Sequence, residues 1–496
     1  MSTFYHSTRS IDKAVTSKQA ILNGIAPDGG LYVCDSLLDE KLDIAQMVTQ
    51  TYLEIAQTTL LHLLPEYAPE EIAACVEGAY TNTFDTPDIT PITPLGNDWL
   101  LELFHGPTCA FKDVALQMLP RLMSVARTSA HAGNVMIVTA TSGDTGKAAL
   151  EGFKDVEGCG VSVFYPAGKV SDIQRLQMVT QRGNNVAVCG IRGNFDDAQT
   201  EVKHIFQDAD LARRLAESNT VLSSANSINV GRLVPQVCYY LFAYAQLVAR
   251  GAVTLGDAVD FVVPTGNFGD VLAGYFAKRL GLPVGKLVVA SNANNVLTDF
   301  ITTGVYDRRR AFHKTISPSM DILVSSNVER LLYYISEGDV EFVAHCMHGL
   351  AIDGTYALGD KILQQLRATF ACGCADDDMT RATIRSTWES EHVLIDTHTA
   401  VAKCVLDALP REGRQRICLS TASPYKFSQD VLVALGQNTA GMDGFACMDL
   451  LEKITGVSVP APLASLRELD ELHPSVCDRQ EMGAFVEASA AKIFSK

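Results

Sequence analysis

A lysine, Lys112, stands in the stretch FHGPTCAFKD (104–113), between an aromatic ring and a carboxylate and just past a glycine–proline turn. A lysine withdrawn from water loses hydration, its pKa falls, and the neutral amine can attack an aldehyde. Phe111 supplies an apolar wall for such a site, and His105 with Gly106–Pro107 fixes the turn. The stretch alone leaves an ordinary alternative open: a surface lysine that snorkels beside Asp113.

Two glycine loops could serve the same chemistry. PTGNFGD (264–270) follows an apolar run and precedes VLAGYFAKRL, a helical pattern. With Gly266 and Gly269 permitting the turn, the backbone N–H groups of Gly266, Asn267, Phe268, Gly269 and Asp270 can curl around an anion at a helix start. Neither a Walker A lysine nor a G-x-G-x-x-G spacing is present there. TATSGDTGKAAL (139–150) repeats the strand–loop–helix context, and Ser142, Gly143, Asp144 and Thr145 suit a small carboxylate or phosphate. Each loop alone reads equally as a tight turn or a well-capped helix. Two anion cups and a reactive lysine together are what a phosphorylated aldehyde cofactor and an amino-acid substrate require. That cofactor is pyridoxal 5'-phosphate.

The elements that must position these loops alternate. NVMIVTA (134–140), VSVFYPAG (161–168), NVAVCG (185–190), DFVVP (260–264), GKLVVASNAN (285–294) and RICLSTAS (416–423) are short apolar runs, and helical stretches separate most of them. This pattern predicts an α/β fold with two open, mainly parallel sheets. Ligands of such sheets sit at the carboxyl ends of strands, where both loops fall. Residues 11–85 show helical spacing, the proline-rich TPDITPITPLG (86–96) marks a boundary, and Val234–Ala249 reads as a buried helix. The expected division is a helical N-terminal domain over 1–92, a large cofactor-binding domain from 93–130 plus 225–450, a small α/β domain over 131–224 and a helical segment over 451–496.

At roughly 100–200 residues per domain, the length also suggests about two to four domains or subdomains. The chain has 496 residues, 47% hydrophobic and 20% charged, with a formal net charge of −17. That charge argues against nucleic acid and leaves small anions possible where cations cluster. Thirteen cysteines, odd in number and scattered, fit a reduced cytoplasmic protein, and no zinc-site spacing is present, so no metal is expected. No apolar run is long enough to span a bilayer and the N-terminus lacks a signal-peptide pattern. A monomer or homodimer acting on a small molecule is expected.

The same stretches resemble the threonine synthase family. The matching segments include STRS (7–10), APDGGLYV (26–33), ELFHGPTCAFKDVALQ (102–117), SANSINVGRLVPQVCYY (224–240), SPSMDILVSSNVERLL (317–332), DTHTAVA (396–402) and STASPYKF (420–427), with both glycine loops. The resemblance implies a fold-type-II enzyme, a carbon–oxygen lyase that turns O-phospho-L-homoserine and water into L-threonine and phosphate. It implies Lys112 as the Schiff-base lysine, Gly266–Asp270 as the cofactor phosphate cup, Thr421 as the hydroxyl partner of the pyridine nitrogen, and Ser142–Thr145 as the loop for the substrate carboxylate. For the substrate phosphate the matched motifs offer Arg232, with hydrogen bonds from Asn226, Ser227 and Asn229, and more weakly Lys147, Lys169 and Arg175. Val230, Ser423 and Tyr425 depart from common family versions and bear on pocket shape. His105 is a candidate acid–base group, whereas His398 reads more readily as a histidine satisfied locally. Two rivals stay open: a phospho-lyase giving 2-oxobutanoate from the same substrate, and a non-catalytic protein that binds a phosphorylated ligand.

Overall fold

The computed structural model describes residues 4–141 and 143–495, and the side chains of all of these except Phe195 and Asp196. Two sheets dominate. The larger has six strands in the order Phe370–Cys374, Val284–Ser291, Val259–Pro264, Gln415–Ser420, Asp98–Glu102 and Ile92–Leu95. All neighbours are parallel except the last pair. The smaller has five parallel strands in the order Val476–Cys477, Val186–Ile191, Cys159–Pro166, Asn134–Ala140 and Thr220–Ser223. Central strands such as Val259–Pro264 and Cys159–Pro166 are buried at every residue. Helices covering both faces of a parallel sheet explain why these strands are apolar runs without alternation.

The structure departs from the sequence expectation in four places. The proline-rich passage is partly a strand: Ile92–Leu95 hairpins back onto Asp98–Glu102 at the edge of the larger sheet. Proline cannot donate to a ladder, and an edge strand is where Pro94 is tolerated. The first ninety or so residues hold, besides helices, a small antiparallel sheet of Tyr5–Ser7, Ser10–Val15 and Tyr32–Val33. The C-terminal segment is not wholly helical, because Val476–Cys477 completes the smaller sheet. Pro235 interrupts the long apolar helix, which runs as Val230–Leu233, a 3-10 turn and then Val237–Ala249.

Register decides what meets at the site. Ser420 pairs with Glu102, and Cys418 with Val262, so three adjacent parallel strands of the larger sheet end together. Their exit loops are 103–111, 265–268 and the segment from Thr421. The loop 141–143 leaves the smaller sheet after Ala140. Both glycine loops and the lysine stretch therefore lie at carboxyl ends of strands.

Candidate active site

Lys112 opens the helix Lys112–Ser129. The loop ahead of it is clamped to the segment after Gln415–Ser420: Phe111 N–H donates to Thr421 O at 2.9 Å, Ala110 bridges Ala422, and Ser423 N–H donates to Cys109 O at 3.0 Å. Inside the turn, Asp113 accepts from Thr108 N–H at 2.8 Å and from its hydroxyl at 2.6 Å. The carboxylate beside the lysine in sequence thus holds the loop and does not pair with Lys112. Thr421, also buried, is carried to the lysine by the same clamp.

The partner of Lys112 comes from the other sheet. Its Nζ lies 3.5 Å from Asp144 Oδ2, and 3.4 Å from Ser319 Oγ. Burial, with positive Arg232 and Lys426 nearby, outweighs Asp144 and pushes the Lys112 amine down to about 8. At that value roughly a tenth of the amine is neutral at pH 7, against about one part in three thousand for an ordinary lysine. Asp144 is buried too, yet Lys426 and Lys112 outweigh the desolvation and hold it below the usual carboxylate range. Lys426 Nζ sits 2.8 Å from Asp144 Oδ1 and donates to Thr108 O at 2.8 Å, and Gln174 Nε2 donates to Asp144 Oδ1 at 2.9 Å. Lys426 was not predicted. The signal was its place in STASPYKF, a matched segment whose lysine was left without a role.

The loop 141–145 thus presents Asp144 to a pair of lysines. Thr141 Oγ1 accepts from the N–H groups of Gly143 and Gly146, both at 2.9 Å, and shapes the turn. What the loop offers an incoming carboxylate is its helix start, together with half-buried Thr145. Ser142 lies outside the described residues.

The turn 265–270 is held from several sides. Phe268 adopts a left-handed φ of 63° immediately before the helix Gly269–Arg279, so the turn leads straight into a helix N-terminus. Its ring is buried and packs on Phe370 at 5.6 Å between centroids. Gly266 admits the carbonyl of Ser319, which would lie 2.7 Å from any Cβ placed there. Ser319 therefore touches the turn with its backbone and the Lys112 amine with its hydroxyl, joining the two predicted features. Asn327 fastens the turn from below: its N–H and Nδ2 both donate to Asn267 O at 3.1 Å. Behind it, Arg330 Nη1 donates to Asn327 Oδ1 at 2.6 Å, with the rest of its guanidinium on backbone carbonyls. Asp270 turns away, taking hydrogen bonds from Tyr239 OH at 2.6 Å and Tyr240 OH at 2.8 Å. Only the backbone of Asp270 belongs to the turn.

The cations predicted for a second anion sort themselves. Lys147 pairs with Glu151, Arg175 pairs with Glu471, and Lys169 is exposed. Arg232 is buried, donates to Ala225 O at 2.8 Å, pairs with no carboxylate among the described residues and leaves its Nε without a partner. Burial pushes its pKa down to about 10. Asn229 is spent on structure, donating to Ile21 O and accepting from Gly231 N–H, both at 2.9 Å. Asn226 accepts from Thr139 at 3.1 Å, and Ser227 from Asn327 at 3.1 Å. His105 is held by two carboxylates, Asp85 at 2.6 Å and Glu102 at 2.8 Å. Burial lowers its pKa, but the two acids prevail and raise it.

The donor set fits a phosphorylated aldehyde. It offers a depressed amine, an N–H receptacle with no inward carboxylate, and a buried guanidinium with an unpaired donor. Among the described residues no cluster of His, Cys, Asp or Glu could hold a metal ion, and no helix is long and apolar enough to cross a membrane. All thirteen cysteines are free thiols.

Residues 88–420 match the family described as pyridoxal-phosphate dependent enzyme, and residues 4–80 match the threonine synthase N terminus. A threonine synthase of Schizosaccharomyces pombe is 37% identical over 467 residues, covering 87% of this chain and 89% of its own. Threonine synthase-like 1 of Homo sapiens is 40% identical over 431 residues, covering 84% of this chain; the matched region spans 58% of that longer relative. A crystal structure of threonine synthase from Brucella melitensis with PLP bound superposes with a TM-score of 0.87 at 35% identity, covering 98% of this chain and 99% of that one. The chain belongs to the threonine synthase family of pyridoxal-phosphate-dependent enzymes.

Proposed function

We propose that this chain converts O-phospho-L-homoserine and water to L-threonine and phosphate, as a carbon–oxygen lyase acting on a phosphorylated substrate. One observation carries the reading: a lysine amine pushed down to about 8 shares a buried site with an N–H receptacle and an uncompensated arginine. A single phosphorylated ligand accounts for the receptacle. The arginine asks for a second anion, which a phosphorylated amino-acid substrate supplies.

Pyridoxal 5'-phosphate, when bound, supplies the electron sink for carbanion chemistry at the substrate. The turn Gly266–Asp270 would hold its phosphate and Lys112 its aldehyde carbon, and Thr421 would offer its hydroxyl to the ring nitrogen. A hydroxyl adds no negative charge there, unlike a carboxylate. Once free, the Lys112 amine takes the proton from the substrate Cα. Asp144 then faces the resulting ammonium and stabilises it. A second proton then leaves Cβ, its electron pair expels phosphate from Cγ, and Arg232 receives that phosphate with the two-pronged geometry that guanidinium offers an oxyanion. Burial of the whole cluster excludes water until hydration at Cβ.

The test is incubation of the purified, cofactor-loaded protein with O-phospho-L-homoserine, with threonine, 2-oxobutanoate and phosphate assayed together. Threonine equal to phosphate is expected. Phosphate matched by 2-oxobutanoate identifies the phospho-lyase instead, and no phosphate release identifies a ligand-binding protein.

A further inference from the structure

His398 and Asp396 lie outside everything assigned so far, and both are buried. Asp396 caps the helix Thr397–Ala408. Its Oδ2 accepts from His398 N–H at 2.9 Å and from His398 Nδ1 at 2.7 Å, and its Oδ1 accepts from Thr399 N–H at 3.0 Å and from the Thr399 hydroxyl. A carboxylate filled by donors admits only a donor at Nδ1, so the ring carries its proton there and Nε2 is an acceptor. That acceptor takes Ser319 N–H at 3.1 Å. The ring also packs edge-on against Phe427, 4.9 Å between centroids.

Ser319 is the residue on which the site converges. Its hydroxyl lies 3.4 Å from Lys112 Nζ and 3.4 Å from Asp144 Oδ2, and its carbonyl fills the space left by Gly266. The loop bearing it is pinned at Thr315 and Ser317 by Asn292 and Asp321. At Ser319 itself the backbone N–H has His398 as its partner.

We propose that His398, fixed as the Nδ1–H tautomer by Asp396, is a positioning residue that sets Ser319 against both the Lys112 amine and the phosphate turn. A neutral imidazole is needed, because a proton on Nε2 would face the Ser319 N–H. The significance for the reaction rests on the function proposed above; the placement of Ser319 does not.

The test begins with the unaltered chain free of cofactor. Hydrogen exchange resolved to Ser319 should show a protected amide, and ¹⁵N shifts of His398 the Nδ1–H tautomer. A freely exchanging Ser319 amide, or a proton on Nε2, overturns the proposal. Two variants follow. In His398→Phe the ring contact with Phe427 persists but the acceptor is gone; in His398→Gln the amide oxygen reaches the Nε2 position. Ser319 exchange should rise about tenfold or more in His398→Phe and remain near the original in His398→Gln. In cofactor-free protein, the pH midpoint for acylation of Lys112 should fall in His398→Phe, because the ammonium loses the Ser319 hydroxyl, and hold in His398→Gln. With cofactor and substrate, kcat should drop about tenfold in His398→Phe at a KM within about threefold. Equal behaviour of the two variants would assign His398 to packing alone. The first two readouts use neither cofactor nor substrate, so a failed activity assay would count against the function and leave this inference to its own measurements.

Discussion

Asp144 and Asp270 occupy the same place in two similar loops. Each follows a strand and a glycine turn and lies in the first turn of a helix, Asp144–Phe153 in one case and Gly269–Arg279 in the other. Both are buried, yet their charges are managed in opposite ways. Asp144 meets Lys426 and Lys112 and stays ionised. Asp270 meets two phenols, its Oδ2 has no partner among the described residues, and burial pushes its carboxyl up to about 6. The difference separates two kinds of glycine loop. The first carries a permanent negative charge that ties the smaller sheet to the lysines. The second turns its carboxyl away from its mouth, toward two phenols.

The comparison can be broken most forcefully at Lys426. Lys426→Met leaves Asp144 with Lys112 as its only cation among the described residues, and losing one partner of a buried pair costs about 3–5 kcal/mol. Urea unfolding should show a loss of this order, and the acylation midpoint of Lys112 should rise, because a neighbouring positive charge is gone. Unchanged stability would mean that Asp144 is not held by Lys426.

Asp270 should respond to pH. Its folded pKa of about 6 exceeds its ordinary 3.8, so the folded state holds the extra proton between these values. The contribution is fully present below about pH 4 and is lost as pH rises through 6, amounting to about 3 kcal/mol. Asp113, pushed up to about 6 by burial, adds a loss of the same sign. Asp270→Asn should therefore flatten part of the decline in unfolding free energy between pH 4 and 7 in denaturant titrations. A variant with the parent's full slope would remove Asp270 from this role.

The smallest effect sharpens the charge balance at the lysine. With Lys112 at about 8, the rate at which cofactor-free protein captures pyridoxal 5'-phosphate should rise nearly tenfold per pH unit below that value and flatten above it. Stopped-flow absorbance reads this directly, and a midpoint near 10 would contradict the burial and charge argument.

The strands and loops that carry this comparison were legible in the sequence because apolar runs ending in Gly, Ser, Asp and Thr mark carboxyl ends of buried strands. The apolar Asn134–Ala140 and Val259–Pro264 and the Lys112 turn stood out on residue type and order. The direction of Asp270 did not, because it is set by Tyr239 and Tyr240, some thirty residues earlier in the chain. Asn229, which looked like a substrate donor in SANSIN, is consumed by Ile21 from the first helix. Lys426 sat in a matched segment without a visible purpose, and of His398 only its local satisfaction, by Asp396, was legible, since the partners Asp144 and Ser319 are 282 and 79 residues away. Hidden proline pairing at Ile92–Leu95 has the same origin: whether a strand lies at an edge is a property of the assembled sheet.

The central claim is that Lys112 carries the cofactor whose phosphate rests on Gly266–Asp270. Borohydride reduction of the cofactor-loaded protein followed by peptide mapping tests it most directly. One pyridoxyl group per chain, on Lys112, is expected, and none in Lys112→Ala. Modification of another lysine, or none in the parent chain, would contradict it.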